Sequence, residues 1–150
     1  MKILFICTGN TCRSCMAEVI FNQLCNINEF EACSAGVRIV PGSITSKNSS
    51  KLLLDKLNCD ISVRKAVQLD QKFAETSDLI LAMSNSVKQY AIKNFEADKN
   101  KTFTLNEYVE VEGEVSDPYG GNLSVYWNTF DQIEHLIKLL LLKLKEGNRI

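Results

Sequence analysis

The opening segment constrains the fold more than any other part of the chain. Residues 2–7, KILFIC, place five apolar side chains in an unbroken row. A strand with one face in water would alternate polar and apolar positions. This one does not, so it is expected to lie in a parallel sheet covered on both faces. The run stops at CTGNTCRS, residues 7–14, which is small and polar. From Ser14 to about Ile27, the residues Met16, Val19, Ile20, Leu24 and Ile27 then recur at helical spacing.

The same strand–helix alternation continues along the chain. Phe30–Ser34 reads as a strand running into SAG, and Ser46–Leu57 as a helix beyond a loop with Pro41 and Gly42. Asp70–Thr76 reads as a short helix, Asp78–Met83 (DLILAM) as a strand, Ser84–Phe95 as a helix and Thr102–Leu105 as the last strand. Asn106–Gly121 is an acidic loop ending in DPYGG. Leu123 to about Lys145 reads as a long helix with Val125, Tyr126, Phe130, Ile133, Ile137, Leu140, Leu141 and Leu144 toward the core. This order predicts an α/β fold with a parallel sheet flanked by helices, and 150 residues suit one domain, 1–150. Ligands in such sheets sit beyond the carboxyl ends of the strands. Cys7 lies at such an end, and the loop bearing Asp117 starts from another.

Composition narrows the function. A formal net charge of −1 gives no support for nucleic-acid binding. The longest wholly apolar run, LLLL at 139–142, is too short to cross a bilayer, and the start lacks the pattern of an export signal. Six cysteines in a chain of this size then point to free thiols in a reducing cytoplasm. Cys12 and Cys15 have C-x2-C spacing, but no second pair or adjacent histidine completes a zinc site. Neither a metal nor a cofactor is expected. Cys25, Cys33 and Cys59 read as small buried hydrophobes.

The candidate chemistry centres on Cys7. A strand–loop–helix turn points backbone N–H groups inward and adds the positive end of a helix. Such a ring holds a tetrahedral oxyanion and favours a thiolate beside it. Gly9 is expected to supply a backbone conformation other residues resist, with Thr8, Asn10 and Thr11 fitting the curl. Arg13 can fold its planar fork over the same anion. Ser14 is expected to cap the helix or to bond the thiolate. Asp117, with Pro118, Gly120 and Gly121 shaping its loop, is the candidate proton donor; otherwise it only starts a turn.

CTGNTCRS followed by MAE at 16–18 resembles the signature of the low-molecular-weight protein tyrosine phosphatase family. The likeness continues through SAG at 34–36, DLILAM at 78–83, FTLNEYV at 103–109 and DPYGG at 117–121, across essentially the whole chain. The resemblance implies a three-layer sandwich with a four-stranded parallel sheet. It implies Cys7 as nucleophile, Arg13 as phosphate clamp and Asp117 as general acid. Thr8, Gly9, Asn10, Thr11, Cys12 and Ser14 would contact the phosphate, with Tyr119 at the entrance. Asn10, Ser14 and Ser34 would hold the loop in shape. The expected reaction is metal-independent, passes through a phosphocysteine and acts on phosphorylated proteins, with a monomeric chain.

Thr11 stands where tyrosine phosphatases of the family usually carry a larger aliphatic residue. This resembles the bacterial protein-arginine-phosphatase branch and favours phosphoarginine over phosphotyrosine. Arsenate reduction on the same fold needs further cysteines, and none follows Cys59. A non-catalytic phospho-residue module would not need Cys7, Arg13 and Asp117 together. Cys12 could pair with Cys7 on oxidation. The chain departs from the family at Cys15, where proline is usual, and the match around Ile61–Ala66 is imperfect.

Overall fold

The computed structural model describes residues 1–147. Four parallel strands form one sheet in the order β2-β1-β3-β4. These are β1 (Lys2–Cys7), β2 (Glu31–Gly36), β3 (Leu79–Ala82) and β4 (Thr102–Thr104). The helices are α1 (Arg13–Leu24), α2 (Lys47–Leu57), α3 (Gln71–Thr76), α4 (Asn85–Phe95), α5 (Leu105–Tyr108) and α6 (Leu123–Gly147). The parallel sheet flanked by helices expected from the alternation, with the four strands the resemblance implies, is therefore what the chain forms. Among the described residues, no helix is long and apolar enough to cross a membrane.

Strand alternation builds the two sides. Ile3, Phe5, Leu79 and Leu81 face a core shared with α1, α2 and α6. Leu4, Ile6, Ile80 and Ala82 face the other core, with Val87 and Ala91 of α4. Phe5 meets Phe21 of α1 with ring centroids 6.0 Å apart. Full burial of such a side chain contributes about 1.5–3 kcal/mol. With β1 central, the chain turns to β2 on one side and to β3 on the other. The crevice of such a sheet opens at this reversal, and Cys7 ends the strand there.

Gly36 lets β2 approach the loop after Cys7. A Cβ at this position would lie 2.7 Å from the Thr8 carbonyl oxygen and 3.0 Å from the Asn10 nitrogen. Pairing also runs past the strand ends, where Val37 N–H donates to the Cys7 carbonyl at 2.9 Å and Arg38 N–H to that of Thr8 at 2.9 Å.

Several boundaries and side chains differ from the sequence expectation. Helix α1 stops at Leu24, leaving Leu24 and Ile27 outside the core. The Asn22 amide docks on Ala32, accepting its N–H and donating to its carbonyl at 3.0 Å each, which turns the helix end toward β2. Strand β2 runs on to Gly36 rather than stopping at Ser34. Cys25, Cys33 and Cys59 are half-buried rather than buried. Val125 is exposed and lies beside Gly121 of the preceding loop, while Leu123 and Tyr126 of the same turn face the core. Leu105 leaves the last strand to begin α5, inside a segment expected to be loop. There Thr104 and Glu107 form a reciprocal capping box.

Candidate active site

The loop from Cys7 to Arg13 curls around the end of β1 as an open bowl. It forms a cavity of about 530 Å³ lined by Cys7, Thr8, Gly9, Asn10, Thr11, Cys12 and Arg13. Asp117 and Tyr119 close one side, and Arg38, Val40 and Ser43 another. Nine of the residues expected at the site thus meet at one cavity. Ser14 and Ser34 do not line it; both are buried.

The Cys7 sulfur is met by two groups. Ser14 Oγ lies 2.8 Å from it, and the Asn10 N–H donates to it at 3.2 Å. The direction of the serine bond follows from its neighbour. Asn10 Nδ2, which can only donate, reaches Ser14 Oγ at 2.8 Å. That oxygen is an acceptor there, so its own hydrogen is free for the sulfur. With the Asn10 N–H, the sulfur then has two donors. The helix cap is Cys12, without a side-chain bond, and not Ser14, which serves the sulfur instead and does not face the substrate cavity.

The left-handed residue of the loop is Asn10, with φ 56°, and not Gly9. A Cβ at Gly9 would meet nothing closer than 3.9 Å. Asn10 offsets the strain of that conformation with a saturated amide. Nδ2 donates to Ser14 and, at 3.0 Å, to Ser34 Oγ. Oδ1 accepts from Arg64 Nη1 at 3.0 Å and from the Val67 N–H at 2.9 Å. Because Arg64 can only donate, the amide has one orientation.

Arg64 and Glu18 are the residues the sequence reading did not single out. Arg64 Nη2 donates to Ser34 Oγ at 2.9 Å, and its Nε pairs with Glu18 at 3.5 Å. Burial pushes the Glu18 carboxyl above its usual range, against the pull of Arg64 and Ser34. Arg64→Met leaves Asn10 Oδ1 and Glu18 short of partners. It is expected to cost about 1–3 kcal/mol of stability and roughly 10- to 100-fold in kcat/KM through a loosened loop. A carboxyl with a raised folded pKa destabilises the fold as it ionises, and the variant raises it further. The deficit should therefore grow from acid toward neutral pH, as urea unfolding at the two conditions checks.

Arg13 is almost wholly buried and bridges two loops. Its Nη1 donates to the Val115 carbonyl at 3.3 Å, and its Nη2 lies 3.7 Å from Asp117. Val115 N–H in turn donates to the Met83 carbonyl at 3.1 Å, fixing the acidic loop to the end of β3. The Asp117 side chain is 60% exposed and accepts the Tyr119 N–H at 3.1 Å. So the turn-initiating role foreseen for Asp117 and its place at the cavity are both present. Tyr119 is 85% exposed, free to pack on a bound side chain. Cys12 Sγ contacts the Tyr126 hydroxyl at 3.4 Å, and all six cysteines are free thiols. A curled loop at a helix start, a thiol, an arginine and a carboxylate around one cavity can bind a phosphoryl group and exchange it.

The family model described as low molecular weight phosphotyrosine protein phosphatase matches residues 2–149. The chain belongs to this family. Membership makes it a cysteine-based protein phosphatase. A protein-arginine-phosphatase of Bacillus subtilis (strain 168) is 36% identical to this phosphatase, covering 99% of this chain and 100% of its own length. A low molecular weight protein-tyrosine-phosphatase, PtpB, of Staphylococcus aureus is 39% identical, covering 97% and 98%. Among solved structures, a YwlE arginine phosphatase mutant with a phosphorylated active-site serine superposes with a TM-score of 0.90. It is 35% identical, and the match covers 99% of both chains.

Proposed function

We propose that this phosphatase hydrolyses phosphoarginine in proteins through a phosphocysteine on Cys7. The observation that carries the mechanism is the Cys7 sulfur, held by Ser14 and the Asn10 N–H in the cavity that Arg13 and Asp117 also line. The thiolate attacks phosphorus in line. Arg13 and the loop N–H groups stabilise the equatorial oxygens. Asp117 gives its proton to the departing guanidine nitrogen, and the P–N bond breaks. The Asp117 carboxylate then takes a proton from water, which attacks phosphorus and releases Cys7 and inorganic phosphate.

Thr11 supports phosphoarginine as the substrate. It lines the cavity, where a short side chain with a hydroxyl meets the N–H groups beside phosphorus, and an isoleucine would crowd them. The name of the Bacillus relative agrees with this reading, while that of the Staphylococcus relative favours phosphotyrosine. Free thiols at the site fit a reducing cytoplasm. Thr11→Ile is expected to shift the ratio of phosphoarginine to phosphotyrosine hydrolysis by about 10-fold toward phosphotyrosine, the scale of a methylene-sized change in a pocket. An unchanged ratio would remove Thr11 as selector. The decisive comparison is phosphate release from a phosphoarginine protein, a phosphotyrosine peptide and an aryl phosphate, with a chelator present. Faster release from the phosphotyrosine peptide overturns the substrate, and release only on adding metal overturns the mechanism.

A further inference from the structure

A second cavity, about 240 Å³, lies between the segment after α5 and the middle of α6. It shares no lining residue with the thiol cavity. We propose that it binds a small organic cation with several N–H donors, of the guanidinium or short alkylammonium class.

The first ground is Asn106, which lines the cavity and is only 5% exposed. Its Nδ2 donates to the Glu112 carbonyl at 3.3 Å, and its backbone carbonyl accepts the Val111 N–H at 2.9 Å. Its Oδ1 has no hydrogen-bond partner among the described residues. A buried acceptor left unpaired is destabilising, and the group it lacks is a donor. The second ground is charge. Glu112 and Glu114 both line the cavity, and Glu114 already accepts the Asn85 N–H, so Glu112 is the freer carboxylate. The third is shape. Val111 and Leu136 give apolar walls, and His135 lines the cavity beside them.

A hard metal ion fits less well. Calcium takes six to eight oxygen ligands, and no group of three His, Cys, Asp or Glu side chains suited to a metal exists among the described residues. The Asn106 oxygen has under 1 Å² of solvent contact, so a ligand that pairs with it must displace part of the cavity wall. Occupancy also bears on the acid loop. Gln132, on the cavity wall, accepts the Ser116 N–H at 3.0 Å, and Ser116 immediately precedes Asp117.

The test uses the full chain with orthovanadate in the phosphoryl site, and its readout lies outside the thiol cavity, so a guanidinium bound there as product is not counted. Arginine, methylguanidinium and an arginine-containing peptide are titrated at matched ionic strength against sodium chloride, following the Asn106 side-chain amide by NMR. Saturable shifts with the small cations are expected, and Glu112→Gln should weaken them by at least about tenfold. Because Glu112 is exposed, that variant is expected to fold. Binding of the small cations alone assigns the site to a free solute. Binding of the peptide as well assigns it to an arginine side chain on a protein. No saturable shift, or equal affinity in Glu112→Gln, overturns the proposal.

Discussion

Cys7→Ala is expected to abolish phosphate release, lowering turnover by at least ~10⁴-fold, the scale seen when a covalent nucleophile is removed. The fold should survive. The side chain is 3% exposed and small, so the lost volume is slight. The larger structural cost is the acceptor withdrawn from the Ser14 hydroxyl and the Asn10 N–H, about 1–3 kcal/mol. A lower melting temperature without aggregation separates that cost from the catalytic one. Cys7→Ser makes the same point from the other direction. Its oxygen keeps both hydrogen bonds but leaves phosphorus poorly, so a phosphoryl group should accumulate on residue 7. Mass spectrometry of quenched turnover checks both variants. Hydrolysis undiminished in the alanine variant, or a label found elsewhere, removes Cys7 from the mechanism.

The centre of this site was readable because it is contiguous. Cys7 to Arg13 occupy one loop, and the apolar strand before it and the helix after it fix where the loop must lie. Position alone could not say which of its residues takes the strained conformation. Gly9 is the natural candidate by propensity, yet Asn10 holds φ 56° because four partners satisfy its amide there. Those partners come from α1, β2 and the segment before α3, and no spacing rule links them. Arg64 lies 54 residues from Asn10 and in a stretch whose match to the family is imperfect, so nothing in the sequence marks it. Glu18, inside MAE, had a motif to point to it but no visible partner. The capping box of α5 was legible as T-x-x-E at 104–107, but a four-residue helix has no periodicity to announce it. Ser14 carried two expectations, a helix cap or a bond to the sulfur, and its place after the loop could not choose between them; the structure turns its hydroxyl inward to the sulfur.

Asp117→Asn is expected to lower kcat on phosphoarginine by about 10²–10⁴-fold, with almost no change in stability. The stability half follows from exposure. The carboxylate is 60% exposed and 3.7 Å from Arg13, so the ion pair contributes at most ~1 kcal/mol. The catalytic half follows from the leaving group. A guanidine nitrogen needs a proton as the P–N bond breaks, and an asparagine amide cannot give it. A good leaving group such as nitrophenolate needs none. The first step on an aryl phosphate of that kind should therefore be nearly unaffected, while hydrolysis of the phosphocysteine, which needs the carboxylate as base, slows. A burst of nitrophenolate followed by slow turnover is the expected trace. The same variant tests the bridge through Arg13. That side chain keeps its bond to the Val115 carbonyl whether or not Asp117 is charged, so the acid loop should stay in place and KM for phosphoarginine, where the first step limits, should change little. An equal fall in rate on all leaving groups, with KM raised, would mean that Asp117 holds substrate rather than moves a proton.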